Sequence, residues 1–318
     1  MENEPALYSC PGHRRRARAR TRCLLAVIAA TSACGAPASD RHPESAPTAV
    51  RIVDDFGDTL RLAQPAAHVV SLNPVTTEAI FALGAGARLV GRSRWDSSPD
   101  AARQVPDLGD GLQPNIEAVL AARPDLVVLY AAAANRAAAA AFRRAGVQTL
   151  ALRTDRVADL ARVLHALGLA LGDTTAAASV ADSVQRSLDA VRAMPRRTRP
   201  VSVFWHAWDA PVITIGAGSY LDELVVAAGA RNVFGDMAQP SPQVTLESVV
   251  QRNPDYVLAG PRAARRLRAD ARWQAVPAVR AGRILVVDTS LVGRPGVRMG
   301  EAARALRLLI DSAAGVRP

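Results

Sequence analysis

No lysine occurs in this 318-residue chain; all 39 of its basic residues are arginine. Cysteine is almost as scarce, and Cys10, Cys23 and Cys34 all lie near the start. The body after Cys34 therefore has neither a disulfide framework nor a cysteine-based zinc site. Histidine is sparse as well: beyond Cys34 only His42, His68, His165 and His206 remain, too scattered to assemble a bare transition-metal site. Aromatic residues make up 4% of the chain, so no ladder of stacking rings and basic side chains is present of the kind that grips single-stranded nucleic acid. Six of the arginines crowd residues 14–22, and Glu2 and Glu4 also precede Cys34. The remainder thus carries +6 of the formal +10, and its arginines are dispersed. Nucleic acid is excluded as a partner on this reading. A Walker loop, a nucleophile elbow and paired metal-spaced histidines are all missing. The expectation is a protein that is not an enzyme, with no catalytic residue, no resident cofactor and no protein-bound metal.

No apolar run approaches the ~20 residues that span a bilayer. Residues 13–22 are basic, residues 23–30 apolar, and Thr31-Ser32-Ala33 small, which is the order of an export signal. Cys34 after three small residues resembles the lipobox of bacterial lipoproteins, where that cysteine is lipidated and becomes the new terminus. Ordinary cleavage would leave Cys34 incidental. The expected layout is a signal peptide over residues 1–33 and an Ala-, Ser- and Pro-rich tether over residues 34–49. The body would lie in the periplasm or otherwise outside the cytoplasm, held to the membrane by lipid.

The chain then writes one stretch twice. IEAVLAARPDLVVLY, residues 116–130, returns as LESVVQRNPDYVLAG, residues 246–260. Glu117/Glu247, Val119/Val249, Pro124/Pro254, Asp125/Asp255 and Val127/Val257 are identical. Each copy reads as a short helix, a break at Pro-Asp and a buried strand, because proline disfavours helix in the residue before it. Ala85-Gly86-Ala87-Arg88 echoes Ala228-Gly229-Ala230-Arg231 at a larger offset, which places an enlarged loop around residues 92–114. Two copies point to two similar lobes rather than a solenoid.

Residues 50–62 read as a hairpin, and EAIFALGA as a helix capped by Thr76 or Thr77 with Glu78 near its positive end. Residues 155–195 show apolar residues at helical spacing, with a break offered at Gly172-Asp173. The fold expected is α/β: an N-terminal lobe over residues 50–154 and a C-terminal lobe over residues 196–318, both Rossmann-like with parallel sheets and flanking helices. Residues 155–195 would join them as a long rigid helix.

Candidate site residues cluster where strands run out, the side on which open α/β sheets bind ligands. Trp205 and Trp208 flank His206 after a strand, and Trp95 sits in the enlarged loop. Indoles exposed there would be platforms for a flat ligand; packing under loops is the alternative. Trp273 reads as core. Arg294 and Arg298 could meet a ligand carboxylate or phosphate, or pair with Asp288. Glu117 and Glu247 follow possible caps, Asn115 and Thr245. Each is favourable near a helix start, and their duplication suits docking on a pseudo-symmetric basic partner.

Read together, VVSLNPVTTEAIFALGAGARLVGRS, VPDLGDGLQPNIEAVLAARPDLVVLY, ITIGAGSYLDELVVAAGARNVF, SPQVTLESVVQRNPDYVL and GRPGVRMGEAARAL resemble the substrate-binding lipoproteins of bacterial ABC importers for vitamin B12, ferric siderophores and haem. The cobalamin-binding branch is the most similar. The resemblance implies two lobes on a rigid helix, little closure, and a corrinoid held between aromatics of both lobes and passed to a membrane permease. It also implies a monomer that docks on a permease dimer with its ATPase subunits through one glutamate per lobe, matching Glu117 and Glu247. Trp95, and Trp205 or Trp208, stand at aromatic positions of the cobalamin pattern, whereas Ser241 and Leu108 stand where that pattern has tryptophan. The alternatives carried forward are haem, with His206 as axial ligand, a ferric siderophore, and a chelatase-like or corrinoid-processing enzyme.

Overall fold

Alternation of burial along two short parallel sheets organises the molecule. The structure, a computed structural model, describes residues 49–195 and 197–315; the expected signal, Cys34 and nearly all of the tether lie outside them. Strands β1 (Val50–Val53) and β2 (Thr59–Leu62) form the expected antiparallel hairpin, with Val50 opposite Leu62. Asp54 closes its turn by accepting from the Phe56 and Asp58 amides, and docks it by accepting from the Ala151 amide.

The N-terminal lobe follows as β3 (Val69–Ser71), α1 (Pro74–Ala82), β4 (Leu89–Arg92), α2 (Ile116–Ala121), β5 (Leu126–Tyr130), α3 (Arg136–Arg144) and β6 (Gln148–Leu152). Its strands are all parallel, in the order β4-β3-β5-β6. Helix α1 starts earlier than its apolar pattern predicts. Asn73, not Thr76 or Thr77, is the cap and accepts from the Val75 amide. Pro74 takes the first helical position, where the missing N–H is no loss. The two threonines are instead buried within the helix.

Residues 155–195 do not form one long helix. Gly172 adopts φ 77° and splits them into α4 (Asp159–Leu171) and α5 (Thr174–Arg192), which pack on each other. Glycine reaches this left-handed conformation without a Cβ penalty. Asp173 caps α5, which runs on to the second lobe.

That lobe contains β7 (Val201–His206), a small hairpin β8 (Trp208–Asp209) and β9 (Val212–Ile213), α6 (Tyr220–Ala227), β10 (Ala230–Asn232), α7 (Leu246–Arg252), β11 (Tyr256–Ala259), α8 (Pro261–Ala269), α9 (Pro277–Arg280), β12 (Ile284–Val286), α10 (Thr289–Val292) and α11 (Met299–Ala313). Its parallel order, β10-β7-β11-β12, repeats that of the first sheet with the duplicated strand at the same place. The duplication extends to details. Arg123 and Asn253, before the two prolines, both have positive φ (51° and 42°). Asp125 accepts from the backbone of Ala67 and His68, and Asp255 from that of Ser202, so each Pro-Asp aspartate pins the start of the neighbouring strand.

Successive strand residues face opposite sides. Val69 and Val203 accordingly enter one apolar cluster with Leu164, Leu188 and Leu306, whereas Val70 and Phe204 enter separate outer clusters. The shared cluster runs from β1 through α4 and α5 to α11, so the lobes are joined by a continuous core rather than by a bare hinge.

Candidate ligand cleft

The cleft has one almost wholly apolar wall and one where arginines stand among aromatic and aliphatic side chains. Where β3, β4 and β5 end, the N-terminal lobe carries a cavity of ≈ 460 Å³ lined by Leu72, Pro74, Trp95, Leu112 and Tyr130 among others. Where β7, β11 and β12 end, the other lobe carries one of ≈ 650 Å³, lined by Trp205, Trp208, Tyr220 and the start of α8. They adjoin through Arg294, which follows the lining residue Gly293 and donates to the Trp95 carbonyl at 2.9 Å. A hollow of ≈ 690 Å³ beside β10 is no smaller, but no aromatic side chain lines it.

Two of the candidate tryptophans are platforms. Trp95 is 59% and Trp208 60% exposed. Neither swings freely: the Trp95 indole donates to Asp110 at 3.4 Å and that of Trp208 to the Ala210 carbonyl at 3.2 Å. Trp205 also lines the C-terminal cavity but is only 5% exposed, because its place on β7 turns most of it into the shared core, so it offers no open face like those of Trp95 and Trp208. His206, one residue on, faces the outer core. Its side chain is 1% exposed and packs edge-on against Trp273 at 5.3 Å. Burial lowers its pKa below 6.5, partly offset by Asp209, 3.6 Å from Nε2. The residue borders the C-terminal cavity, but its imidazole is enclosed. Trp273 is core, as its sequence context indicates. Ser241 is exposed on the loop before α7 and is not among the lining residues of the cavity. Leu108 packs with the outer core of the first lobe.

Arg294 and Arg298 are already partnered. Arg298 forms two bonds with Glu301 at 2.9 and 3.0 Å, not with Asp288. Arg294 crosses between the lobes to Glu78, 3.3 Å away. Gly296 lets this turn close, since a Cβ there would lie 2.6 Å from a Glu78 carboxylate oxygen. Glu78 is 5% exposed, and burial raises its pKa above the ordinary 4.5 despite the opposing pull of Arg294. A second tie joins Arg156 to Glu223 of α6.

Breaking a largely buried pair by removing one partner costs about 3 kcal/mol. Arg294→Ala should therefore lower unfolding free energy by that order at neutral pH in urea titrations, and by less in acid, once Glu78 has taken up a proton. The sign follows from linkage: a raised folded pKa gives stability present below the unfolded value and lost as pH rises through the folded one. Relative to the wild type, Glu78→Gln should gain stability with rising pH above 4.5 and then level off. A difference that stays flat with pH would show that Glu78 does not titrate this way.

The comparisons with known proteins fit this architecture. A family described as periplasmic binding protein matches residues 69–291. The chain belongs to that family. It is 26% identical over 245 residues to the vitamin B12-binding protein of Vibrio parahaemolyticus, covering 76% of this chain and 89% of that one. Identity is also 26% over 296 residues with the uncharacterized ABC transporter substrate-binding lipoprotein YvrC of Bacillus subtilis, covering 89% and 93%. The apo structure of the periplasmic haem-binding protein RhuT from Roseiflexus sp. superposes with a TM-score of 0.71 at 26% identity, covering 78% and 99%. Among the described residues no helix is long and apolar enough to cross a membrane.

Within this family fold, Glu117 and Glu247 occupy equivalent places. Each is exposed in the first turn of its helix, and Asn115 and Thr245 cap those helices through the Ala118 and Ser248 amides. Sequence reasoning missed Tyr130 and Tyr220 as cleft residues and Glu78 as the buried partner of Arg294. Tyr130 donates to Asp155 at 2.5 Å, and burial followed by that bond pushes its pKa up to about 12. Tyr220 donates to the Val292 carbonyl at 2.8 Å. Only their position after strands or at a helix start marked them in the sequence.

Proposed function

We propose that the chain captures a corrinoid of the vitamin B12 type between its lobes and delivers it to the permease of an ABC importer, with no chemistry of its own. The observation that carries this reading is the pair of exposed, hydrogen-bonded indoles, Trp95 and Trp208, one on each wall. Large flat ligands gain affinity from such stacking and apolar burial. A corrin that brings its own axial groups needs no metal ligand from the protein. That requirement weighs against haem, because the His206 imidazole is enclosed and the Tyr130 phenol is held protonated by Asp155.

Haem or a ferric siderophore is the second reading. It is favoured by Ser241 and Leu108, which leave the cleft without two of the indoles of the cobalamin pattern, and by the superposition on a haem-binding protein. In either case the partners would be a permease dimer with its ATPase subunits, met through Glu117 and Glu247. The chain would act as a monomer held to the membrane by lipid on Cys34.

Titration of the purified full chain with cyanocobalamin and with haemin, followed by absorption, tests the assignment. Saturable one-to-one cyanocobalamin binding is expected. A shifted Soret band with haemin and no response to cobalamin would move the assignment to haem. Silence from both would turn the search to ferric siderophores.

A further inference from the structure

Arg262, Arg265 and Arg266 of α8 line the C-terminal cavity beside Trp208. Spaced three and four residues apart they share one helix face, while Ala264 and Leu267 bury the opposite one. All three are exposed. Among the described residues none of them has a carboxylate partner, whereas Arg294, next to the lining residue Gly293, and Arg298 are each paired. The cavity lining contains no Asp or Glu. Like charges at this spacing destabilise a helix, and the positive end of the helix itself, at Gly260 and Pro261, also opens into the cavity. The facing wall is apolar, built from Leu72, Pro74 and Leu112 around Trp95.

We propose that this cleft selects an amphipathic ligand, with a flat apolar body on the N-terminal wall and anionic groups along one edge held by Arg262, Arg265 and Arg266. This inference rests on the reading of the cleft as a ligand site and adds the chemistry of its polar edge. Guanidinium forks suit carboxylate and phosphate alike. The anion could therefore be a propionate of a metal tetrapyrrole or the phosphodiester of a corrinoid's nucleotide loop.

Two matched probe pairs separate these sources: haemin against its dimethyl ester, and cyanocobalamin against dicyanocobinamide, which lacks the phosphodiester. Affinities are read from tryptophan fluorescence of the full chain at low and high salt. In one pair the anionic member should bind tighter by about tenfold or more, as charged hydrogen bonds warrant, and lose that advantage at high salt. Combined R262Q, R265Q and R266Q should bring the anionic member to the affinity of its neutral partner. R268Q on the same helix, outside the lining, should keep the preference. Equal affinities within both pairs, or a preference retained by the triple variant, would overturn the inference while leaving the cleft assignment standing. Failure of all four probes to bind would overturn the inference together with the corrinoid and haem readings, and leave ferric siderophores as the ligands to search.

Discussion

Import ceases when Glu117 and Glu247 are both replaced by arginine, while ligand affinity stays at its wild-type value: this is the outcome expected of the docking reading. Both carboxylates are exposed, both lie in the first turn of a capped helix, and the helices occupy equivalent places in two sheets of identical strand order. Charge complementarity at an interface fixes orientation, and like charges brought face to face cost several kcal/mol. Reversal at both ends of the docking face therefore removes productive encounters, not merely some affinity. Neither residue lines a cleft cavity, so ligand binding has no reason to change. Uptake assays in a strain lacking the native gene, alongside titrations of the purified variant, check both halves. Wild-type uptake by the double variant would retire the docking role.

Loss of the indoles should be the other large effect. Stacking one face of a tryptophan against a ring removes roughly 80 Å² of apolar surface from water, about 2 kcal/mol at ~25 cal/mol/Å². Trp95→Ala and Trp208→Ala should each weaken ligand binding by about tenfold or more. Trp95 projects from a loop and Trp208 from the small β8–β9 hairpin, and they are 59% and 60% exposed, so their removal should leave thermal unfolding within about 0.5 kcal/mol. Trp205→Ala should behave in the opposite way, destabilising the fold by about 3 kcal/mol because its side chain fills the shared core. Calorimetry on the three variants separates the classes. Unchanged ligand affinity in the Trp95 and Trp208 variants would remove them from the site.

The sequence by itself determined the two-lobed α/β plan. The duplicated helix, Pro-Asp break and strand are local signals, and a parallel strand buried on both faces is written as a continuous apolar run. The cap residues Asn115 and Thr245 and the break at Gly172 were legible for the same reason, since each acts on backbone within a few positions. Facing direction was not. Trp205, His206 and Trp208 are near neighbours in the chain, yet one fills the shared core, one packs on Trp273 and one stands in the cleft. Strand alternation and the end of β7 separate them, and neither is visible without the register of the sheet. Glu78 and Arg294 lie 216 positions apart, and only the approach of the lobes turns an expected helix-start glutamate and an expected ligand arginine into an interlobe tie. The same holds for α8, whose arginine face is plain in the sequence but acquires a direction only when Ala264 and Leu267 are buried against the second lobe. Backbone patterning is decided within a few residues; side-chain destination depends on which distant surface closes over it.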